Sequence, residues 1–276
     1  MTIMFRQSLR HLRKQKFFSL LNIIGLTLGI SCSIWLILFL ENELTFDQHF
    51  DNYERIYRVS HTFRAPGVQF NTAYSPSELS PMLQERFPGI EAFARFIKRP
   101  LPELILNEQV FTEQQMYHTD QAAMEIFSLD FITGNPLNAL DEPNSIVLSQ
   151  SLALKIFGND SPLGLTLKVN NIDVKIAGVF KDLPANTHFK FSALLSGVRD
   201  RGFAMQNGVF NSEALWNSDC LNFIKFTSPE AKASFVEKFP AFDEEFFSPF
   251  GKMINGEHIL YLQRLDTIHY DELQLD

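Results

Sequence analysis

The sequence predicts an α+β fold in which a mixed α/β extracytoplasmic domain hangs from a single N-terminal transmembrane helix. Three observations predict it. A long apolar run without charge lies near the N-terminus, cations and acids fall on opposite sides of that run, and short strand-like and helix-like stretches follow it without regular βαβ spacing.

The apolar run extends from Phe17 to Leu40, 24 residues without a charge. At ~1.5 Å rise per residue it measures roughly 36 Å, enough to cross a ~30 Å hydrocarbon core with some tilt. Arg6, Arg10, Arg13, Lys14 and Lys16 precede the run. Glu41, Glu43, Asp47, Asp51 and Glu54 follow it, and no cation appears until Arg55. The positive-inside rule therefore leaves residues 1–16 in the cytoplasm and residues 41–276 outside. The expected location is the cell inner (cytoplasmic) membrane, with the main domain periplasmic. A cleaved signal peptide needs a shorter apolar region and a small-x-small cleavage site. Here the run is longer and closes on Leu38-Phe39-Leu40, so it reads as a signal anchor.

Residues 1–16 set Phe5, Leu9 and Leu12 against Arg6, Arg10 and Arg13. That pattern suits a basic positive-inside flank or a helix lying in the inner headgroup layer. Within the membrane run, Gly25, Gly29 and Ser33 recur every fourth residue and share one helix face. Small residues at that spacing let a second helix approach closely in lipid, although chance yields such spacings about as often.

Composition bounds the outer part. With 45% hydrophobic and 20% charged residues the chain is of ordinary globular make-up. Its 28 phenylalanines promise an aromatic core or an apolar working surface. The net charge is −8 even though the first 16 residues are purely basic, so the body is acidic and ill suited to nucleic acid. The two cysteines, Cys32 in the membrane run and Cys220 far along the body, are not placed to bridge.

Along the body, Ile56–Ser60 reads as a first strand. Ser75-Pro76-Ser77-Glu78 reads as a capping box with proline at the first helical position. It opens a helix carrying Leu79, Met82, Leu83 and Phe87 that stops at Pro88-Gly89. Strands are expected over Ala92–Lys98, Glu103–Leu106 and Gln109–Met116, the last two joined through Asn107-Glu108. A helical turn covers Ala122–Phe127. Ser145–Leu148 reads as a strand, after which Ser149 caps a helix that Gly158 ends. Leu165-Leu167-Val169 and Ile172-Val174-Ile176 alternate on either side of Asn170-Asn171, the pattern of a hairpin with a type I′ turn. Residues 197–220 are irregular. A strand at Leu221–Phe226, a helix from Pro229 to Phe239 and a strand at His258–Gln263 complete the reading.

Several blocks, in order, resemble the N-terminal part of MacB/FtsX-type ABC transporter permeases, especially bacteroidete ones. They are Ser8–Leu12 with Lys16–Leu40, then Glu41–Asp47 and Asp51–Val59. Next come Asn144–Leu148 with Leu154-Lys155-Ile156-Phe157-Gly158 and Ser161-Pro162-Leu163-Gly164, and finally Gly178–Phe189 (GVFKDLPANTHF). The resemblance implies a MacB-like periplasmic core of one or two subdomains. It implies ATP hydrolysis by a separate cytoplasmic ABC ATPase subunit, and export or extraction of a substrate by mechanotransmission. The implied partners are that ATPase, the remaining permease helices or a second permease copy, and a periplasmic adaptor. The helix face of Gly25, Gly29 and Ser33 would meet other helices. Segments 41–51, with Glu41, Glu43, Asp47 and Asp51, and 265–276 would be membrane-proximal stalks lying side by side. Family members continue into further membrane helices, so the chain reads as an N-terminal fragment or a truncated member.

Catalytic chemistry is not apparent. There is no G-x-x-x-x-G-K-[ST] phosphate loop, HExxH or CxxC, so neither cofactor nor metal is expected. Glu257-His258 and His269-Tyr270-Asp271 are poor acid–base pairs, the first because neighbours on a strand face opposite ways. Phe235, Phe239, Phe242 and Phe246 form a helical stripe, with Pro240 expected to interrupt the helix; core packing is the simpler account and a contact surface the other. The rival functional reading is a single-pass sensor with a ligand pocket formed by convergent polar groups.

Overall fold

The computed structural model describes residues 16–98, 102–112, 115–197, 205–206, 209–210 and 220–270. The basic segment 1–15, most of the irregular stretch 197–220 and residues 271–276 lie outside them. The chain divides into two compact units, Met1–Phe46 and Asp47–Asp276.

The first unit is helix α1, Lys16–Leu44, which is long and apolar enough to cross a membrane. It continues past the expected end at Leu40. The Glu41 carbonyl accepts from both the backbone N–H and Oγ1 of Thr45, and the Glu43 carbonyl accepts from the Phe46 N–H. Glu41 and Glu43 thus occupy the last helical turn and its edge, because nothing in Glu-Asn-Glu-Leu breaks a helix.

The second unit is built on one mixed sheet, which joins thirteen strands among the described residues. In chain order they are β1 (Ile56–Ala65), β2 (Val68–Thr72), β3 (Ile90–Lys98), β4 (Glu103–Leu106), β5 (Gln109–Thr112), β6 (Met116–Thr119) and β7 (Phe131–Gly134). Then come β8 (Ser145–Ser149), β9 (Thr166–Val169), β10 (Ile172–Phe180), β11 (Ala193–Ser196), a separate small ribbon of β12 (Met205–Gln206) and β13 (Val209–Phe210), β14 (Leu221–Phe226) and β15 (Glu257–Arg264). The spatial order is β15-β1-β14-β3-β6-β11-β8-β10-β9-β4-β5, with β2 on β1 and β7 on β10. Helices are α2 (Leu79–Arg86), α3 (Ala123–Ile126), α4 (Gln150–Phe157), α5 (Pro229–Phe246) and α6 (Ser248–Ile254).

Strand β14, Leu-Asn-Phe-Ile-Lys-Phe, shows how the sheet feeds two cores. Successive side chains point to opposite faces. Leu221 and Phe223 join a cluster with Phe50, Phe96, Phe127, Phe180, Phe189 and Phe191. Ile224 and Phe226 join a second one with Leu79, Leu83, Phe87, Phe235, Phe242 and Phe247. A third, aliphatic core gathers Leu104, Ile146, Leu148, Leu152, Leu167, Val174 and Ile176 at the far end of the sheet.

Local signals translate directly where they are self-contained. Asn170 and Asn171 have φ of 47° and 69°, and Asn107 and Glu108 of 48° and 68°, so both turns have positive φ at their two central residues, as a type I′ turn requires. Ser149 Oγ accepts the Leu152 N–H at 3.3 Å and Gly158 follows α4 with φ 63°.

Three expectations fail. Ser75 does not cap α2: its Oγ donates to the Val59 carbonyl, and its backbone bridges Cys220, so the sheet claims it. The helix begins instead at Leu79, with Pro81 in the first turn, where its missing N–H is not needed. Pro240 does not interrupt α5, which runs through it. The carbonyl it leaves without an amide belongs to Val236, which is exposed to water, while Phe235 and Phe242 on the inner face are buried. The phenylalanine stripe is therefore core. Finally, Gln109–Met116 is two strands, β5 and the start of β6.

Candidate functional site

Two residues, Thr45 and Phe46, follow α1 before the chain enters the second unit at Asp47. Asp47 is fully buried and adopts the left-handed region (φ 59°), which a short carboxylate side chain tolerates. Its Oδ1 accepts from Thr187 Oγ1 at 2.5 Å and from the His188 backbone N–H at 3.1 Å. Its Oδ2 lies 2.6 Å from His188 Nδ1, and its own N–H donates to the Asn186 carbonyl at 3.0 Å. One carboxylate thus takes three donors from Thr187 and His188, and charged acceptors hold such donors more tightly than neutral ones do.

Beneath this knot lie rings. Phe50 packs edge-on against Phe127 and Phe189, with centroids 5.3 and 5.6 Å away, and Phe189 meets Phe127 at 4.6 Å. The polar contacts fix the direction of the arriving chain, and the aromatic contacts fix its depth. Edge-to-face pairs of this kind add about 0.5–1.5 kcal/mol each beyond area burial.

The returning end of the unit lies at the same place. Tyr57 at the start of β1 pairs with Arg264 at the end of β15. The 3₁₀ turn Leu265–Tyr270 then buries Leu265 and Ile268 in the cluster that holds Phe50 and Ile56. Arg264 Nε bonds Asp266 Oδ1 at 2.6 Å, which steadies that turn. Asp271 and the rest of the expected returning stalk lie outside the described residues.

The sequence-predicted residues are brought together only in part. Gly25, Gly29 and Ser33 lie on exposed positions of α1, and Ser33 Oγ donates to the Gly29 carbonyl at 2.8 Å. A methyl group added at Gly25 or Gly29 would meet no atom within 4 Å. Glu41 and Glu43 end the helix, Asp47 is the buried knot, and Asp51 is exposed. Thr187 and His188 were not singled out one by one. The available signal was the occurrence of Asp47 and of Asn186-Thr187-His188-Phe189 within the two quoted blocks.

Glu257 is exposed and His258 buried, on opposite faces of β15 as alternation requires. No group of three or more His, Cys, Asp or Glu is disposed to hold a metal among the described residues. A cleft of about 520 Å³ lined by Asp141, Glu142, Ser145, Leu163 and Lys175 opens widely to solvent.

Fold and site together define a sheet-rich α+β domain that follows one apolar helix in the chain, with Phe50 and Ile56 of its first segment and Leu265 and Ile268 of its last described turn sharing one core cluster. The profile of the MacB-like periplasmic core domain matches residues 19–231, and the chain belongs to that family, a domain of ABC transporter permease-type proteins. It is similar to the crystal structure of a domain of a protein from Porphyromonas gingivalis assigned as a permease. That match has TM-score 0.65 and 19% identity, covering 78% of this chain and 91% of that one. The periplasmic region of MacB from Actinobacillus actinomycetemcomitans is more distant, with TM-score 0.47, 13% identity, and 76% and 91% coverage. So is the extracellular domain of the noncanonic ABC-type transporter YknZ from Gram-positive bacteria, with TM-score 0.48, 13% identity, and 75% and 99% coverage. Among curated proteins none matches.

Proposed function

We propose that this chain is the N-terminal part of an ABC transporter permease whose extracytoplasmic domain works as a lever. A separate cytoplasmic ATPase subunit would hydrolyse ATP, and movement of the membrane helices would be transmitted outward to drive export or extraction of a substrate. The observation that carries this reading is the Asp47 knot. A force arriving along the chain from α1 meets a buried carboxylate tied to Thr187 and His188 within three residues of the helix end. The slack that would dissipate a displacement is therefore short. The returning turn, packed into the same aromatic cluster, supports a domain inserted between two helices; a single-pass sensor needs no such closeness. Gly25, Gly29 and Ser33 are the face we assign to another permease helix or a second permease copy, and a periplasmic adaptor is a further partner.

The reading is tested in the assembled membrane transporter with its ATPase. Spin labels on Asn170→Cys, at a hairpin tip of the outer unit, report the distance between permease copies by pulsed electron resonance. An ATP-dependent change in that distance is expected, and Asp47→Ala should abolish it while the ATPase still turns over. No nucleotide-dependent change in the unmodified protein would overturn the lever reading.

A further inference from the structure

At the opposite end of β1 and β15 two histidines are buried in apolar surroundings. His61 on β1 is 2% exposed and His258 on β15 is 7% exposed. Their ring centroids lie 4.2 Å apart. On its other side His258 stacks on Phe247, at 4.2 Å and 10° between planes. Phe247 is the hinge residue of the helical cap, closing α5 and opening α6. The stack His61–His258–Phe247 therefore joins the two strands that run to the Leu265–Tyr270 turn beside Phe50 to the helices covering the second core.

We propose that this ring stack is an acid-sensitive fastener. It holds the cap formed by α6 and the C-terminal half of α5 on the sheet while both imidazoles are neutral, and it releases the cap as the pH falls below ~6 and they take up protons. A stack of two imidazoles at 4.2 Å cannot accept two charges without mutual repulsion, and burial removes the water that would solvate even one. Burial pulls His61 down to about 4. It pulls His258 well below its ordinary value too, with the neighbouring His61 acting in the same direction.

Among the described residues this face of the sheet is largely apolar. On this face β1 and β15 contribute Val59, Phe63, Leu260 and Leu262, and β2 contributes Phe70 and Thr72 opposite Phe63 and His61. On the other face of the sheet Arg58 Nε and Ser60 Oγ both donate to Gln263 Oε1. Arg64 and Glu257 pair there at the exposed strand ends. Of the acids before the hinge, Glu245 pairs with Arg86 at the surface, and Asp243 on α5 is half-buried, its carbonyl accepting the Phe247 N–H. Burial pushes its carboxyl up from the ordinary carboxylate range. Lys252 on α6 is exposed and paired with Glu244.

The sign follows from proton counting. The released state binds a proton on each histidine below ~6.5 and the closed state does not, so closing weakens as pH falls from ~6.5 towards 4, by about tenfold per pH unit for each histidine.

The test uses the full chain in detergent micelles, with hydrogen exchange corrected for the intrinsic effect of pH. Between pH 7 and pH 5, amides of 240–256 should lose at least tenfold in protection while those of β8, β10 and β11 keep theirs. In His258→Phe, which preserves ring stacking without a titratable nitrogen, the acid-dependent loss should shrink at least tenfold. Should that variant not fold, NMR titration of ¹³C-labelled histidine in the unmodified chain decides directly. Cap protection that is independent of pH, the same acid response in His258→Phe, or a His258 that titrates near its ordinary value in the folded protein would each overturn the proposal.

Discussion

His188 and His258 are both packed among phenylalanines, and each helps join the sheet to a segment from elsewhere in the chain. His188 does so through polar bonds: its Nδ1 meets the Asp47 carboxylate, its backbone N–H donates to the same group, and the ring lies against Phe189 and Phe223. His258 is held by ring contacts, tilted against His61 and flat against Phe247. A carboxylate knot is directional and short, and it fails at once when an atom is removed. A ring stack is tolerant of shape and intolerant of charge. The knot suits the transmission of displacement that we propose for it, and the ring stack suits the acid release that we propose for it.

Replacing the knot should break this contrast most severely. Asp47→Ala leaves Thr187 Oγ1, the His188 N–H and Nδ1 without their acceptor in a buried place. The expected loss is about 3–4 kcal/mol by denaturant titration of the solubilised chain, with Asp47→Asn nearer half of that. A loss under ~1 kcal/mol would mean that the aromatic packing of Phe50 alone seats the arriving chain. Next in size is acid. With His61 pulled down to about 4, its neutral form stabilises the fold above ~6.5, and at pH 5 roughly 2 kcal/mol of that should be gone. A stability profile flat between pH 7 and pH 5 would erase the difference between the two fasteners.

Thr187→Val sharpens the first half of the contrast. It keeps the shape of the side chain and removes one hydroxyl donor to Asp47, so about 1–1.5 kcal/mol should be lost. The Thr187 hydroxyl also accepts the Phe189 N–H, at 3.3 Å. A double cycle with Asp47→Ala should therefore show strong coupling, since the two changes remove one shared bond. Additive losses would show that Thr187 acts through Phe189 alone.

These fasteners differ in how far the sequence disclosed them. Elements whose cause is local were legible: the asparagine hairpin turns, the Ser149 cap and the 24-residue apolar run each carry their own physics. Elements decided at a distance were misread. Ser75-Pro76-Ser77-Glu78 has the residues of a capping box, but Cys220, more than 140 positions away, takes the serine into the sheet. Pro240 reads as a helix end because the packing of Phe235 and Phe242 that overrides it is invisible in a linear pattern. In the sequence Asp47 reads as one acid among several following the membrane run. Its distinction is to be the one carried into the interior, and only the return of residues 186–188 to that spot reveals it. The histidine stack is wholly non-local, since His61 and His258 meet only because β1 and β15 pair with Phe63 opposite His258.

The smallest expected effect gives the comparison its baseline. The block that supplies Thr187 and His188 also holds Lys181, six residues before Thr187, whose ammonium pairs with Asp130 at the surface. Both side chains are more than 60% exposed. Water and salt screen such a pair, and ordering two long side chains offsets most of the Coulomb gain, so the net is usually below ~1 kcal/mol. The backbone N–H of Lys181 donates to the Asp130 carbonyl regardless of the side chain. Lys181→Ala should therefore shift stability by no more than ~0.5 kcal/mol, and 0.5 M salt should leave the unmodified chain's stability unchanged within that margin. It should also leave the distance change in the assembled transporter intact, although it sits in the same sequence block as the knot. If Lys181→Ala instead matched Asp47→Ala in either measurement, the load would be spread along the whole 178–189 block, and the three bonds to Asp47 would be one contact among many rather than the point where the arriving chain is held.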